Sequence, residues 1–164
     1  MAKNRILIRC EDCKCGFWMR RTLRRTVNTV LAAERIHVPC EVNILVTDDV
    51  HIHELNRQFR QVDKPTDVLS FPAQELVPEH FDPDAVQADP DSGCLPLGDM
   101  VLSQERAAAQ AQEFGHSLKH EMAYLTAHSV LHLLGYDHMD EGPEKRRMRA
   151  KEKAVMALMK MNRR

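Results

Sequence analysis

A chain of 164 residues is long enough to bury a sizeable core, and 43% hydrophobic with 29% charged residues is ordinary for a soluble globular protein. No apolar run approaches the ~20 residues of a membrane span, and the opening MAKNRILIRCEDC lacks the apolar segment of a secretion signal, so a cytoplasmic protein with no membrane partner is expected. Five cysteines, an odd number, fit reduced thiols better than a disulfide framework.

The net charge of −1 taken alone argues against a nucleic-acid partner, but the charge is segregated. From Pro65 to Glu105 there are nine acidic residues and no lysine or arginine, which leaves 23 basic residues against 15 acidic ones elsewhere. Segregation of this kind permits a basic face for phosphates without requiring one.

Arg5 to Arg9 (RILIR) reads as an opening strand. Cys10, Cys13 and Cys15 follow as C-x-x-C-x-C, with no second cysteine pair to complete a four-ligand structural zinc site, and read as clustered reduced thiols. The spacing of Leu23, Val27, Val30 and Leu31 predicts a helix over 17–36, and Arg20, Arg21, Arg24 and Arg25 fall largely off its apolar stripe, as a solvated face would. Pro39 closes that region, and Glu41 to Thr47 alternates as a strand. Asp48 or Asp49 can cap a helix running through residue 60, with Ile52, Leu55 and Phe59 on one side. His51 and His53, two apart on that helix, read as surface residues. A turn near Asp63–Lys64–Pro65 leads to a short strand from Val68 to Phe71.

Residues 73–96 carry Pro78, Pro83, Pro90 and Pro96 and much of the acidic excess, and read as a mobile acidic flap between two strands. Leu97 to Ser103 is expected as the next strand, and Gln104 to Glu113 as an alanine-rich helix ending near Gly115. Another helix starts around Ser117, and a last one covers about 143–161, with Met148, Val155 and Met159 on its packed side. Its Lys145, Arg146, Arg147, Arg149 and Lys151 fit either an RNA-facing patch or a solvated face. The order β-α-β-α-β-β-α-α-α implies an α/β chain of the α+β kind. Over 1–164 it is expected to form a single domain, about four strands in a mixed sheet packed with about five helices.

The densest chemistry lies in AHSVLHLLGYDH, where His128, His132 and His138 are spaced H-x-x-x-H-x-x-x-x-x-H. Four residues apart on a helix, His128 and His132 share one face and can reach one metal ion at roughly 2.1 Å. His138 cannot join them on a continuous helix, but Gly135 can take the left-handed conformation that turns the chain back. Three protein ligands leave a fourth position open in zinc enzymes. His116 and His120 also stand four apart, but His120 lies roughly 12 Å along the axis from His128 and cannot share that ion. The spacing also matches the zinc-protease form H-E-x-x-H-x-x-G-x-x-H, whose glutamate is the general base. Here that position is Ser129, so the peptidase base is missing. A zinc metalloprotease-like hydrolase is the weaker reading.

Three stretches in succession, L-N-R-Q-F-R-Q-V-D-K-P-T-D-V-L-S-F-P, L-G-D-M-V-L-S and H-x-x-x-H-L-L-G-Y-D-H, resemble the YbeY family of bacterial rRNA-maturation endoribonucleases. The family pattern usually has glycine where this chain has Ser129. The resemblance implies a single-strand-specific, metal-dependent endoribonuclease acting in ribosomal RNA processing, including the small-subunit rRNA 3′ end, and in ribosome quality control. It implies one Zn2+ per chain on His128, His132 and His138, an essential Arg60, and single-stranded RNA and the small ribosomal subunit as partners. It leaves the nucleophile open between water and a 2′-hydroxyl. Asp137 and Asp99 are expected as candidates to orient an imidazole or a water. The non-enzymatic alternative is a zinc-stabilised module that binds the small subunit and assists assembly.

Overall fold

In β2 (Cys40–Thr47), Val42, Ile44 and Val46 are buried on one face of the strand while Glu41, Asn43 and Leu45 are half-buried on the other. This period of two sets the layering of the whole molecule. The protein is described from a computed structural model covering residues 3–137 and 142–161. Its remaining strands are β1 (Arg5–Cys10), β3 (Val68–Pro72) and β4 (Leu95–Ser103). The helices are α1 (Phe17–Ala33), α2 (Asp49–Arg60), α3 (Gln104–Phe114), α4 (Leu118–Leu133) and α5 (Pro143–Leu158). The sequence order is the expected one, and a four-stranded sheet in the order β1-β2-β4-β3 has β3 antiparallel to β4 and the other pairs parallel. It is the mixed α+β sheet anticipated.

The main core lies between one face of the sheet and α1, α4 and α5. α2 covers the other face near β3 and β4, where Ile52, Leu69 and Val101 form a second small cluster. Asp48 caps α2 by accepting from the His51 backbone N–H at 3.0 Å. Ser117 caps α4 in the same way through His120. Gly115, at φ 72°, ends α3. β4 begins at Leu95, two residues before the expected start, because Leu95 donates to the Pro39 carbonyl at 2.8 Å and extends the pairing with β2. Gly98 has φ 137°, and a Cβ there would stand 2.3 Å from the Phe71 carbonyl, so the β3–β4 approach requires glycine.

Residues 73–94 run along the surface with one 3-10 turn at Pro83–Ala85. Gln74 donates to the Pro96 carbonyl, Phe81 and Val86 pack against the core, and Glu79 meets Lys151 and Arg147 of α5. The reading of five reduced thiols is corrected: Cys10 and Cys15 are joined as a disulfide, their Cα atoms 6.4 Å apart. The chain turns back through Asp12 at φ 59°, which brings the two residues together and is not visible in cysteine spacing. Cys40, buried in the sheet, has its thiol pushed up to about 12 by burial, as an inert core residue should.

Candidate metal centre and active site

α4 is buried nearly all round, polar residues such as Glu121, Thr126 and Ser129 included, so it must be covered on almost every side. Packing by α1, α3, α5, β3 and β4 supplies that cover. From His120 to Leu134 every residue is buried except Tyr124, His128 and His132, spaced four apart along one stripe. The two imidazoles therefore sit on the single open line of an otherwise immobilised helix.

Their Nε2 atoms approach to 3.2 Å, with the ring planes 78° apart. Two nitrogens bound to one tetrahedral ion at about 2.1 Å stand about 3.4 Å from each other, so the pair already has the separation a zinc-like ion requires. Behind it, His128 donates Nδ1–H to Glu152 Oε2 at 2.5 Å. That hydrogen bond selects the tautomer whose Nε2 lone pair faces the cleft. Glu152 is only 3% exposed, and its other oxygen accepts from the Tyr124 hydroxyl at 2.8 Å. A buried carboxylate held by two donors orients the histidine that faces the cleft. Glu152 escaped sequence reading because it lies 24 residues downstream on α5 and only the packing of α5 on α4 brings it home.

Arg60 ends α2 just before Gln61, which takes the left-handed cap at φ 58°. Its Nη2 donates to the Ser70 carbonyl at 2.5 Å and its Cζ sits 4.9 Å from the centre of the Phe71 ring. Among the described residues these contacts engage one of the five N–H donors a guanidinium carries. Arg60, Ser70, Leu76, His128, His132 and Asp137 all line one open cleft of about 720 Å³. Ser129 is fully buried and its hydroxyl meets Ser70 at 2.7 Å, fastening α4 to β3. It cannot stand in for a peptidase glutamate, being neither basic nor in the cleft.

Gly135 turns the chain after α4 at φ 102°, and a Cβ there would lie 2.1 Å from the Leu76 carbonyl. The turn needs glycine for its backbone and for the close approach of residues 73–94. Tyr136 follows, buried, its hydroxyl donating to Glu34; burial first, then that carboxylate, pushes its ionisation upward. Lys151 bridges Glu34 and Glu79, so the turn is tied to α1, α5 and the acidic loop together. His138, the expected third ligand, lies outside the described residues. Of the two aspartates, Asp137 lines the cleft, whereas Asp99 accepts from Asn43 on the exposed side of the sheet and does not line it. His51 pairs with Asp48 and Asp12, and His53 with Asp63, as surface residues. His116 and His120 converge instead with Glu121, their ligand atoms within 4.8 Å, and His116 Nε2 hydrogen-bonds Glu121 Oε1 at 2.5 Å.

An α+β fold that aims two helix-borne imidazoles and an arginine into one cleft defines a candidate metal centre. The family model described as "Endoribonuclease YbeY" matches residues 8–160. Relatives named Endoribonuclease YbeY include one from Thermoanaerobacter sp. (strain X514), 43% identical over 86% of this chain and 87% of its own. Another, from Chloroflexus aurantiacus, is 49% identical over 84% of each chain. The chain belongs to the YbeY family. A solution structure of a Thermotoga maritima protein shares the fold at a TM-score of 0.57, with 24% identity over 94% of this chain and 91% of that one.

Proposed function

We propose that the protein is a metal-dependent endoribonuclease that cuts single-stranded RNA in ribosomal RNA processing, including maturation of the small-subunit 3′ end. Family membership supports the reaction class. The observation that carries the site is the 3.2 Å approach of the His128 and His132 Nε2 atoms, with Glu152 behind His128 and Arg60 across the cleft. His128, His132 and His138 are the proposed ligands of one Zn2+, and the small ribosomal subunit in the cytoplasm is the proposed setting. No helix among the described residues is long and apolar enough to cross a membrane.

A bound zinc ion would supply Lewis acidity toward a phosphoryl oxygen and lower the pKa of a water. The chain's own groups perform the rest. Glu152 keeps the His128 proton on Nδ1, which leaves Nε2 unprotonated and able to hold the ion. Arg60, held by the Ser70 carbonyl and the Phe71 ring, presents its free donors to the non-bridging oxygens of the scissile phosphate. There it stabilises charge that grows only in the transition state. Asp137, which lines the same cleft, is the proposed residue to orient a water or an imidazole.

The test is incubation of end-labelled single-stranded RNA with zinc-loaded wild type and with Arg60→Glu. Cleavage by the wild type and little by the variant is expected. Equal cleavage by both, or none by a metal-loaded wild type, contradicts the assignment.

A further inference from the structure

The outer face of α1 belongs to no part of the site described above. Arg21, Arg24 and Arg25 are exposed on it, spaced three and four residues apart and so aligned along one side of the helix. They line an open groove of about 920 Å³ whose walls include Phe17 and Leu158 and, among the described residues, no carboxylate. Elsewhere on the molecule Arg57, Arg106 and Arg147 each meet an acidic residue. Arg21 and Arg24 meet none among the described residues; the same is true of Arg5 and Arg149, but Arg21 and Arg24 share one groove. A row of cations left without carboxylates calls for an anionic occupant.

Phe17 stands at one end of the groove, with Trp18 beside it just outside the lining. Phe17 and Trp18 are 70% and 67% exposed, and their rings meet edge to face at 5.2 Å. Trp18 is the chain's one tryptophan, and the Arg21 guanidinium sits 5.6 Å from its ring centre. Arg25 donates to the Met159 carbonyl and so fixes the far wall of the groove to the end of α5. The disulfide between Cys10 and Cys15, together with the hydrogen bonds from Arg20 to the carbonyls of Ile8 and Cys15, fixes the segment leading into the helix. Exposed aromatic faces at one end of a basic track form the surface that binds single-stranded nucleic acid, with bases stacked and backbone phosphates neutralised.

We infer that this face is a second RNA-binding site, in which Trp18 and Phe17 stack unpaired bases and Arg21, Arg24 and Arg25 hold the adjoining phosphates. It rests on the reading of the protein as an enzyme acting on single-stranded RNA and adds how a long substrate is held away from the cleft. A protein helix would find the apolar walls of the groove but would need a carboxylate row to match the arginines. An RNA strand brings that charge in every nucleotide.

The test uses the full chain with a metal chelator present, so that binding is read without cleavage. A fluorescently labelled oligouridylate is titrated against wild type, Trp18→Ala, Arg21→Glu/Arg24→Glu and, as a charge control off the groove, Arg5→Glu. Circular dichroism verifies that each variant is folded. Expected are roughly tenfold weaker binding for Trp18→Ala and a log–log salt slope shallower by about 0.7 for each phosphate that the double variant no longer neutralises. Arg5→Glu should bind within about twofold of wild type. Binding by the groove variants equal to wild type, which is the outcome if the face seats a protein, overturns the inference. A weakening no greater than that of Arg5→Glu overturns it too. Cleavage by the metal-loaded wild type together with unaltered binding by the groove variants would sink this site and spare the nuclease reading. Groove-dependent binding without any cleavage would do the reverse.

Discussion

At the scale of single residues, each group in the cleft has a distinct physical task. Glu152 fixes the His128 tautomer from within the core, so Glu152→Gln should keep the fold and loosen metal binding by roughly 10–100-fold, measured by competition with a chromophoric chelator. Unchanged affinity would show that the carboxylate is only structural. Arg60→Lys keeps the charge but loses the planar fork, and a fall in kcat of about 10²-fold with an unshifted unfolding midpoint is the expected result. The histidine pair and Arg60 were legible in sequence, the first from helical spacing and the second through family resemblance. Glu152 and the Ser70–Ser129 hydrogen bond were not, because each depends on residues from separate elements meeting in the fold. Asp99 looked equally eligible by residue type, yet strand alternation sends it to the exposed side of the sheet.

At the scale of elements, the start of α2 was readable from sequence because its Asp48 cap is local chemistry, whereas α1 and α5 begin at glycines that offer no such cap. Asp48 shows what such a cap does with pH. Hydrogen bonds from the His51 backbone and then its ring hold the Asp48 carboxyl below its ordinary 3.8, and the same pairing with Asp48 raises His51 above 6.5. The Asp48 contribution is complete above 3.8 and is lost as pH falls through its lowered value. The His51 contribution is complete below 6.5 and is lost as pH rises through its raised value. The stability difference between wild type and Asp48→Ala should therefore peak between those two ordinary values. NMR titration should show His51 returning toward 6.5 in the variant; a midpoint that stays raised would assign the shift to Asp12 instead. The joint between α3 and α4 holds the His116–Glu121 hydrogen bond, and His116→Ala, which removes that partner of the buried carboxylate, should cost about 1–3 kcal/mol in urea unfolding. The turn at Gly135 was readable from its glycine. The Leu76 carbonyl that makes a side chain impossible there comes from a loop far earlier in the chain and was not.

At the scale of the whole molecule, the fold separates its charges by purpose. The acidic loop over residues 73–94 partly neutralises α5 through Glu79, while the arginines on α1 keep their charge exposed. Element order could be read from the chain because hydrophobic period and turn residues act locally. The strand order β1-β2-β4-β3 could not, since placing β4 between β2 and β3 depends on pairings distant in sequence. If the site holds an ion in the native state alone, zinc at about 100 times its dissociation constant should add about 2.7 kcal/mol of stability, seen as a rise in Tm that chelation reverses. The central claim is that three histidines converge on one metal, and elemental analysis of folded protein tests it most directly. Wild type should carry one zinc per chain, and His128→Ala, His132→Ala and His138→Ala should each carry almost none while keeping native circular dichroism. A full equivalent retained in any of the three variants would contradict the account.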